Sequence, residues 1–428
     1  MLFSNITILD ENLEAKNNMY VGVSGEKIDY IGAEKPEKDY GQVYDGQGKL
    51  LMPGFVNSHA HAPMALLRGY GENLTLYDWL ETRVYPFEDQ YTSDAVYWGT
   101  TLSMAESLKY GIVSSSDMYF WIDDMIRAIV DCETKINISR SIVCFDDRSV
   151  WGLPSMQELD RCVKAYHRGA GGKILMDSSV HGEYTNTLKS TREVAEYTKK
   201  MGLNMHVHVS ETKQEHDECK ARHGGLTPVQ FLYENGVFDT RATAAHCVWI
   251  EDCDYPLLKE KDVTVAVNPV SNMKLASGIC DVPKLLENGI RTSIGTDSVA
   301  SNNSLNFLEE MKLFAMASKV KNADPTAITP KETILSATYN GAFAQGRLDC
   351  GKVKEGFKAD LIVLDLNQPN MHPIHNLLNN IVYSNDGAVL MTMVDGKVLY
   401  QNGEYTTIDI EKTIFEADKA TAAILAKL

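Results

Sequence analysis

Between residues 53 and 358 the chain repeats one pattern eight times: a short apolar run that reads as a strand, followed by a helical stretch. The runs are FVNSH, IVSSSDMY, ISRSIVCF, ILMDSSVH, NMHVHVSE, ATAAHCVW, TVAVNPV and RTSIGTD. Between them lie segments such as SDAVYWGTTLSMAESLKYG and STREVAEYTKKMG, each closing on a Gly suited to end a helix. Eight β/α repeats over roughly 300 residues match a TIM (β/α)8 barrel carrying insertions. A doubly wound open sheet is the alternative, but it would usually place a Gly-rich phosphate turn after its first strand. FVNSHAHAP has no such turn.

The two ends of the chain read differently. LFSNITIL, MYVGVSGEKIDYIG and GKLLMPG at the start, and ADLIVLDL and LMTMVDGKVLYQNGEY near the end, are short antiparallel pieces; Val-Asp-Gly-Lys marks a hairpin turn. Neither end has enough strands to close a core alone, so the expectation is one small β-sandwich built from both termini. The predicted organisation is residues 1–52 as the first part of that sandwich and 53–358 as the barrel. Residues 359–428 supply the second part and a C-terminal helix.

Composition narrows the partners. Of 428 residues 44% are hydrophobic and 23% charged, and the net charge is −17 with no stripe of Lys and Arg. A nucleic-acid partner is excluded on that count, and so is an anionic membrane surface; a small molecule is expected. Eight cysteines without a CxxC pair read as reduced thiols. The first residues lack a signal-peptide pattern, and no run of 18 apolar residues occurs. The expected location is the cytoplasm.

Several strand runs finish on a residue able to bind metal or move a proton: His59, His181, His208 with Glu211, His246, and Asp297. In a barrel of this kind the active site lies at the C-terminal ends of the strands, so these side chains converge on one mouth. His59 and His61 are two apart and share a face. With His208 and Asp297 they offer three nitrogens and one oxygen, a donor set that suits catalytic zinc or iron with a position left for water. A divalent ion lowers the pKa of its water from ~15.7 towards ~7. Glu211, just past the fifth strand, is the candidate general acid/base, and His246 would orient the attacking water. The competing readings are an N-cap for Asp297, a first-turn helix acid for Glu211 and a core residue for His246. His206 sits one layer deeper than His208 and reads as structural.

The ordered set PGFVNSHAH, LLRGYGENLTLYDWL, HVSET, AAHCVW and GTDSVASNNSLN resembles the amidohydrolase superfamily over nearly the whole chain. Within it, the set is most similar to the 5-methylthioadenosine/S-adenosylhomocysteine deaminases. The resemblance implies one divalent metal per chain, zinc first with iron or manganese as alternatives, held by His59, His61, His208 and Asp297. Relatives with two metals carry a lysine near the end of the fourth strand; Lys173 lies at its beginning, so a single ion is expected. The implied reaction is hydrolytic replacement of the amino group at C6 of adenine, giving the inosine analogue and ammonia. Glu211 would pass protons to the ring, His246 would stand beside the attacked carbon, and Asp297 would accept a proton from the water.

The resemblance also implies a substrate pocket. Glu88 takes the ribose hydroxyls, Trp79 lines the nucleoside site, His181 hydrogen-bonds the nucleoside, and Ser301 and Glu211 contact it. Arg140 and Arg148 fall where such enzymes hold the amino-acid carboxylate of S-adenosylhomocysteine, with a neighbouring subunit of a homo-oligomer as an alternative source of one of them. His181 is followed by Gly-Glu-Tyr where relatives usually have Ala-Pro-Tyr. Rival readings are a guanine or cytosine deaminase, a triazine chlorohydrolase, and a metal-free scaffold protein. Glu88 with Trp79 argues for a nucleoside, and the intact ligand set argues against a scaffold.

Overall fold

A computed structural model of the chain describes residues 1–387 and 389–428. Eight parallel strands form the barrel, each hydrogen-bonded to the next in chain order. They are Phe55–Ala60, Ile112–Tyr119, Lys135–Ile142, Ile174–Val180, Met205–Val209, Ala242–His246, Thr264–Val267 and Arg291–Ile294, hereafter barrel strands 1 to 8. The ring closes at its top, where Ala60 bridges to Asp297 and the Asp297 N–H donates to the His59 carbonyl at 2.9 Å. All eight runs picked out in the sequence lie on these strands. The third starts at Lys135, three residues before the apolar run ISRSIVCF, because its first side chain is a lysine paired inside the protein.

The intervening helices carry their signals locally. Ser93–Lys109 starts where the Thr92 side chain accepts the Ala95 N–H. Leu188–Met201 starts with a reciprocal Thr187/Ser190 cap and stops at Gly202, whose φ of +65° is a left-handed value that glycine adopts without strain.

Strands from both termini make one continuous nine-stranded sheet. Lys49–Pro53 lies between Leu2–Leu9 and Leu361–Asp365, so the two ends of the chain are interleaved there. Phe3, Ile6, Val21, Leu51, Leu361 and Met393 are among the residues of its own core, separate from the barrel core. The predicted hairpin turn is present: Val389–Val394 and Lys397–Gln401 are joined by Asp395 and Gly396, both at positive φ (46° and 75°).

A buried ion cluster joins sheet and barrel. Lys135, at the start of barrel strand 3, donates to Asp360 at 2.6 Å and to Asp395 at 2.8 Å, and its side chain is 2% exposed. Burial alone would lower the lysine pKa; the two carboxylates more than reverse that and hold it protonated. Lys135→Met leaves Asp360 buried without its cation and Asp395 with only the more distant Lys358 at 3.6 Å, so it should cost roughly 3–5 kcal/mol of stability. Denaturant unfolding of the purified variant checks this, and a loss below about 1 kcal/mol would contradict it. Nearby, Arg347 donates to Asn137 and to the Ile136 and Lys173 carbonyls, filling the barrel floor. The cavity therefore opens at the other end.

Candidate active site

Four barrel strands deliver imidazoles to that open end. His59 ends strand 1 with His61 just beyond it, His208 lies on strand 5 and His246 ends strand 6; His181 follows strand 4. Asp297 comes three residues after strand 8. Both Asp297 (φ +60°) and His246 (φ +75°) adopt left-handed backbone conformations that residues other than glycine seldom take. Such strain is commonly held at functional positions by the surrounding structure.

The three histidines expected to bind metal are oriented alike. His61 Nδ1 donates to the Met118 carbonyl at 2.6 Å, and His208 Nδ1 to the His181 carbonyl at 2.8 Å. His59 Nδ1 lies 3.0 Å from His206 Nε2. With each Nδ1 engaged, the Nε2 atoms face a common point. One ligand atom from each of the three lies within 4.8 Å of the other two, and His59, His246 and Asp297 satisfy the same limit. Asp297 Oδ1 is 3.2 Å from His61 Nε2 and 3.6 Å from His59 Nε2.

The electrostatics fit a cation. His59 Nε2 is buried with no hydrogen-bond partner among the described residues. Burial holds His59 and His208 well below the ordinary imidazole pKa, in the neutral form that binds metal. His61 is different. Burial opposes its charge, but Asp297 overcomes that and lifts it to about 9. Asp297 is itself driven well below the usual carboxylate range by His61, His246 and a Ser271 hydroxyl, against the effect of burial. This acid is an available anion beside three imidazoles whose outer nitrogens are already held, which is how metal-ligating histidines are usually oriented.

Glu211 and His246 stand beside this centre. Glu211 Oε2 is 3.7 Å from His246 Nε2, and the Ser277 hydroxyl donates to Glu211 Oε1 at 3.4 Å. Burial, reinforced by the charge of Asp297, raises the Glu211 pKa. It precedes the helix Lys213–Arg222, whose N-cap is Thr212, so Glu211 is not a first-turn acid; Glu215 has that place. The Glu215 carboxylate accepts the N–H groups of Ser210 and Glu211 at 2.9 and 2.7 Å and thereby sets the turn. His246 Nδ1 lies 2.9 Å from Asn272 Oδ1 and 3.2 Å from the Asn268 amide nitrogen, which leaves Nε2 towards Glu211. Asp297 is likewise not an N-cap; Ser298 fills that role for Val299–Asn302.

A cavity of about 440 Å³ opens above the centre, lined by His61, His208, Glu211, His246 and Asp297 as well as by Trp79, Glu88, Arg140, His181 and Ser301. Glu88 is half-buried at the end of Tyr85–Glu88 and accepts the Tyr119 hydroxyl. Burial pushes its carboxyl up to about 7, against the effect of that bond. His181 Nδ1 donates to Thr185 Oγ1 at 3.1 Å, and burial lowers its pKa to about 4, so it faces the cavity neutral. The Ser301 hydroxyl lies among Ser271, Ser298 and Asp297.

Arg148 is the exception. It does not line the cavity: its side chain is 63% exposed, and its guanidinium is held by Asp146, two residues earlier, with Nε 2.7 and 2.9 Å from the two carboxylate oxygens. Within one chain its partner is therefore Asp146.

Several participants escaped the sequence reading. Tyr119 holds Glu88, Asn272 holds His246, Ser271 donates to Asp297 at 2.7 Å, and His206 orients His59. The segment NPVSN after barrel strand 7 was a signal for two of them, since it places polar residues at a strand end like the others. Glu183, Cys219 and His223 form a second group with ligand-type atoms. Arg222 donates to Glu183 at 2.7 Å, so the positive charge a metal would bring is already supplied there.

Comparisons with known proteins bear on the family and the fold. The Amidohydrolase family matches residues 50–399. A Thermoanaerobacter pseudethanolicus protein named 5-methylthioadenosine/S-adenosylhomocysteine deaminase is 34% identical over 431 residues, spanning 100% of both chains. A Methanosarcina mazei protein named 5'-deoxyadenosine deaminase is 38% identical, covering 95% of this chain and 94% of its own. Among solved structures, an adenosine deaminase from Xanthomonas campestris with bound zinc superposes with a TM-score of 0.93 at 26% identity, covering 99% of this chain and 98% of that one.

Proposed function

The chain belongs to the amidohydrolase family, and from that premise we propose that it deaminates adenine nucleosides hydrolytically, yielding the inosine analogue and ammonia. The observation that carries the reading is the shared cavity. A carboxylate, Glu88, and an indole, Trp79, face the same space as His208, Glu211, His246 and Asp297, and that space extends beyond what a bare base would need.

The ion we propose is zinc, one per chain, held by His59, His61, His208 and Asp297; three nitrogens and an oxygen suit it, and a zinc-bound relative shares the fold. When bound, it supplies Lewis acidity that makes water a nucleophile at neutral pH. Asp297 takes the proton the attacking water gives up, since its carboxylate stays ionised beside His61. Glu211, whose carboxyl burial shifts towards the protonated form, delivers a proton to the ring nitrogen. His246 orients the water through its Nε2. Glu88 accepts the ribose hydroxyls, Trp79 packs against the nucleoside, and His181 and Ser301 offer it hydrogen bonds. Among the described residues no helix is long and apolar enough to cross a membrane. The eight cysteines are all free, which suits a reducing compartment, and the cytoplasm is the proposed location.

Ammonia release from adenosine, 5′-methylthioadenosine and 5′-deoxyadenosine, set against guanine and cytosine, tests the reading. The expected result is turnover of the adenine nucleosides with formation of the hypoxanthine chromophore. Turnover confined to a free base would overturn it.

A further inference from the structure

Glu183 is a buried carboxylate that the proposed chemistry does not use. Its side chain is 1% exposed, and it lies in the loop after barrel strand 4, between His181 and Tyr184, which both line the cavity. The carboxylate itself is not part of that lining. The Arg222 guanidinium donates to both of its oxygens, Nε to Oε1 at 3.2 Å and Nη2 to Oε2 at 2.7 Å, and His223 Nε2 lies 2.7 Å from Oε1. His223 is held in turn, its ring stacked on the buried Phe231 ring with centroids 4.2 Å apart. Arg222 ends the helix Lys213–Arg222, which begins just after Glu211. Glu183 thus ties the loop after strand 4 to the element after strand 5.

The loop is otherwise held at one end. Cys144 donates its N–H to the Thr185 carbonyl at 2.9 Å, and the Asn186 amide donates to the Ile142 carbonyl at 2.9 Å. Towards His181 the chain has Glu183–Thr185, a single 3-10 turn too short to be stable by itself. Gly182 precedes it with no side chain to pack, and a Cβ there would fall 2.9 Å from the Tyr184 ring. What this turn positions is the His181 ring. The Thr185 hydroxyl donates to the Gly182 carbonyl at 3.2 Å and accepts from His181 Nδ1 at 3.1 Å, which leaves His181 Nε2 as an acceptor for a ligand. The His181 backbone is fixed separately. Its N–H donates to the Ile142 carbonyl at 3.2 Å, and its carbonyl accepts the N–H and Nδ1 of His208 at 3.0 and 2.8 Å. Loss of the Glu183 anchor should therefore move the His181 ring and leave His208 in place.

We propose that Glu183 is a positioning residue for substrate binding: clamped by Arg222 and His223, it holds the turn that aims His181 Nε2 at the nucleoside. The proposal rests on the adenine-nucleoside reading, in which His181 offers the substrate a hydrogen bond. Desolvating an ion pair offsets much of its attraction, so the effect of the cluster is on geometry more than on stability. In that reading His181 does not touch the reacting atoms. A misaimed ring then weakens the bound substrate and the transition state alike, which raises KM and spares kcat.

Steady-state deamination of adenosine and 5′-methylthioadenosine by the metal-loaded full chain tests this. The Arg222 side chain is 40% exposed and that of His223 23%, so water can take over their contacts and Glu183→Ala should fold. The variant should raise KM by roughly tenfold or more, with kcat within about threefold of wild type and metal content unchanged. Glu183→Pro should recover most of that loss, because a proline at the first position of a helical turn fixes the backbone without the ion pair. His181→Ala should raise KM by itself, and adding Glu183→Ala to it should change KM by less than about twofold, since the ring to be aimed is gone. Glu183→Gln, which leaves one acceptor for the guanidinium and the imidazole together, carries the same comparison if the alanine variant does not fold. An unchanged KM, a kcat lost with KM retained, a proline variant no better than the alanine one, or KM effects that multiply in the double variant would overturn the proposal while the deaminase reading stands. No ammonia from either nucleoside with the wild type would overturn that reading and the positioning role with it.

Discussion

Asp297→Asn should reduce deamination to background and lower the metal content of the purified protein. The substitution conserves volume and keeps an oxygen for the Ser298 N–H, which Asp297 Oδ1 accepts at 2.8 Å. The Ser271 and Ser301 hydroxyls can rotate to accept from the new amide, so the fold should survive. What disappears is the single carboxylate facing His59 and His61. With it go an anionic ligand and the base assigned to the attacking water. A loss of about 10³-fold or more in kcat is expected. Elemental analysis should find close to one divalent ion per wild-type chain and clearly less in the variant. Chelator-treated wild type should be inactive and regain turnover on addition of zinc. Full activity in metal-free protein would refute the metal-dependent reading altogether.

The second large effect is expected at Glu211. Glu211→Gln preserves the shape and the acceptor that faces Ser277, and its backbone N–H stays fixed by Glu215. Only proton transfer is lost. The variant should bind metal normally and show a kcat lower by ~10²-fold or more, with KM changed far less. This separates Glu211 from Asp297, where metal content and turnover should fall together. Near-normal kcat in a fully metallated Glu211→Gln protein would remove the residue from the proton path and leave it a turn residue.

Much of this site was legible in the sequence, because barrel geometry converts chain position into spatial position. Once a run is assigned to a barrel strand, a polar residue at its C-terminal end must face the mouth. His59, His208, His246 and Asp297 were legible for that reason, although they span more than 200 residues of sequence. The start of barrel strand 3 was not, since Lys135 looks like a boundary until Asp360 and Asp395, from the far end of the chain, are seen beside it. The partner of Arg148 was not legible either: within the chain Asp146 holds it, and a pair two residues apart is invisible to any argument from strand ends.

The sequence by itself determined the barrel, a small β unit built from both termini, and which side chains are metal-competent. Those features follow from hydrophobic runs, turn residues and the fixed direction of β/α connections, all of which act over short stretches of chain. Tertiary structure alone decided which nitrogen of each histidine faces the centre. It decided that Tyr119 holds Glu88, that Glu215 sets the Glu211 turn, and that Arg140 enters the cavity already paired with Glu158. These depend on partners brought together only when the barrel closes. In that low-dielectric interior, whether a charge meets its counter-ion determines what the site can bind.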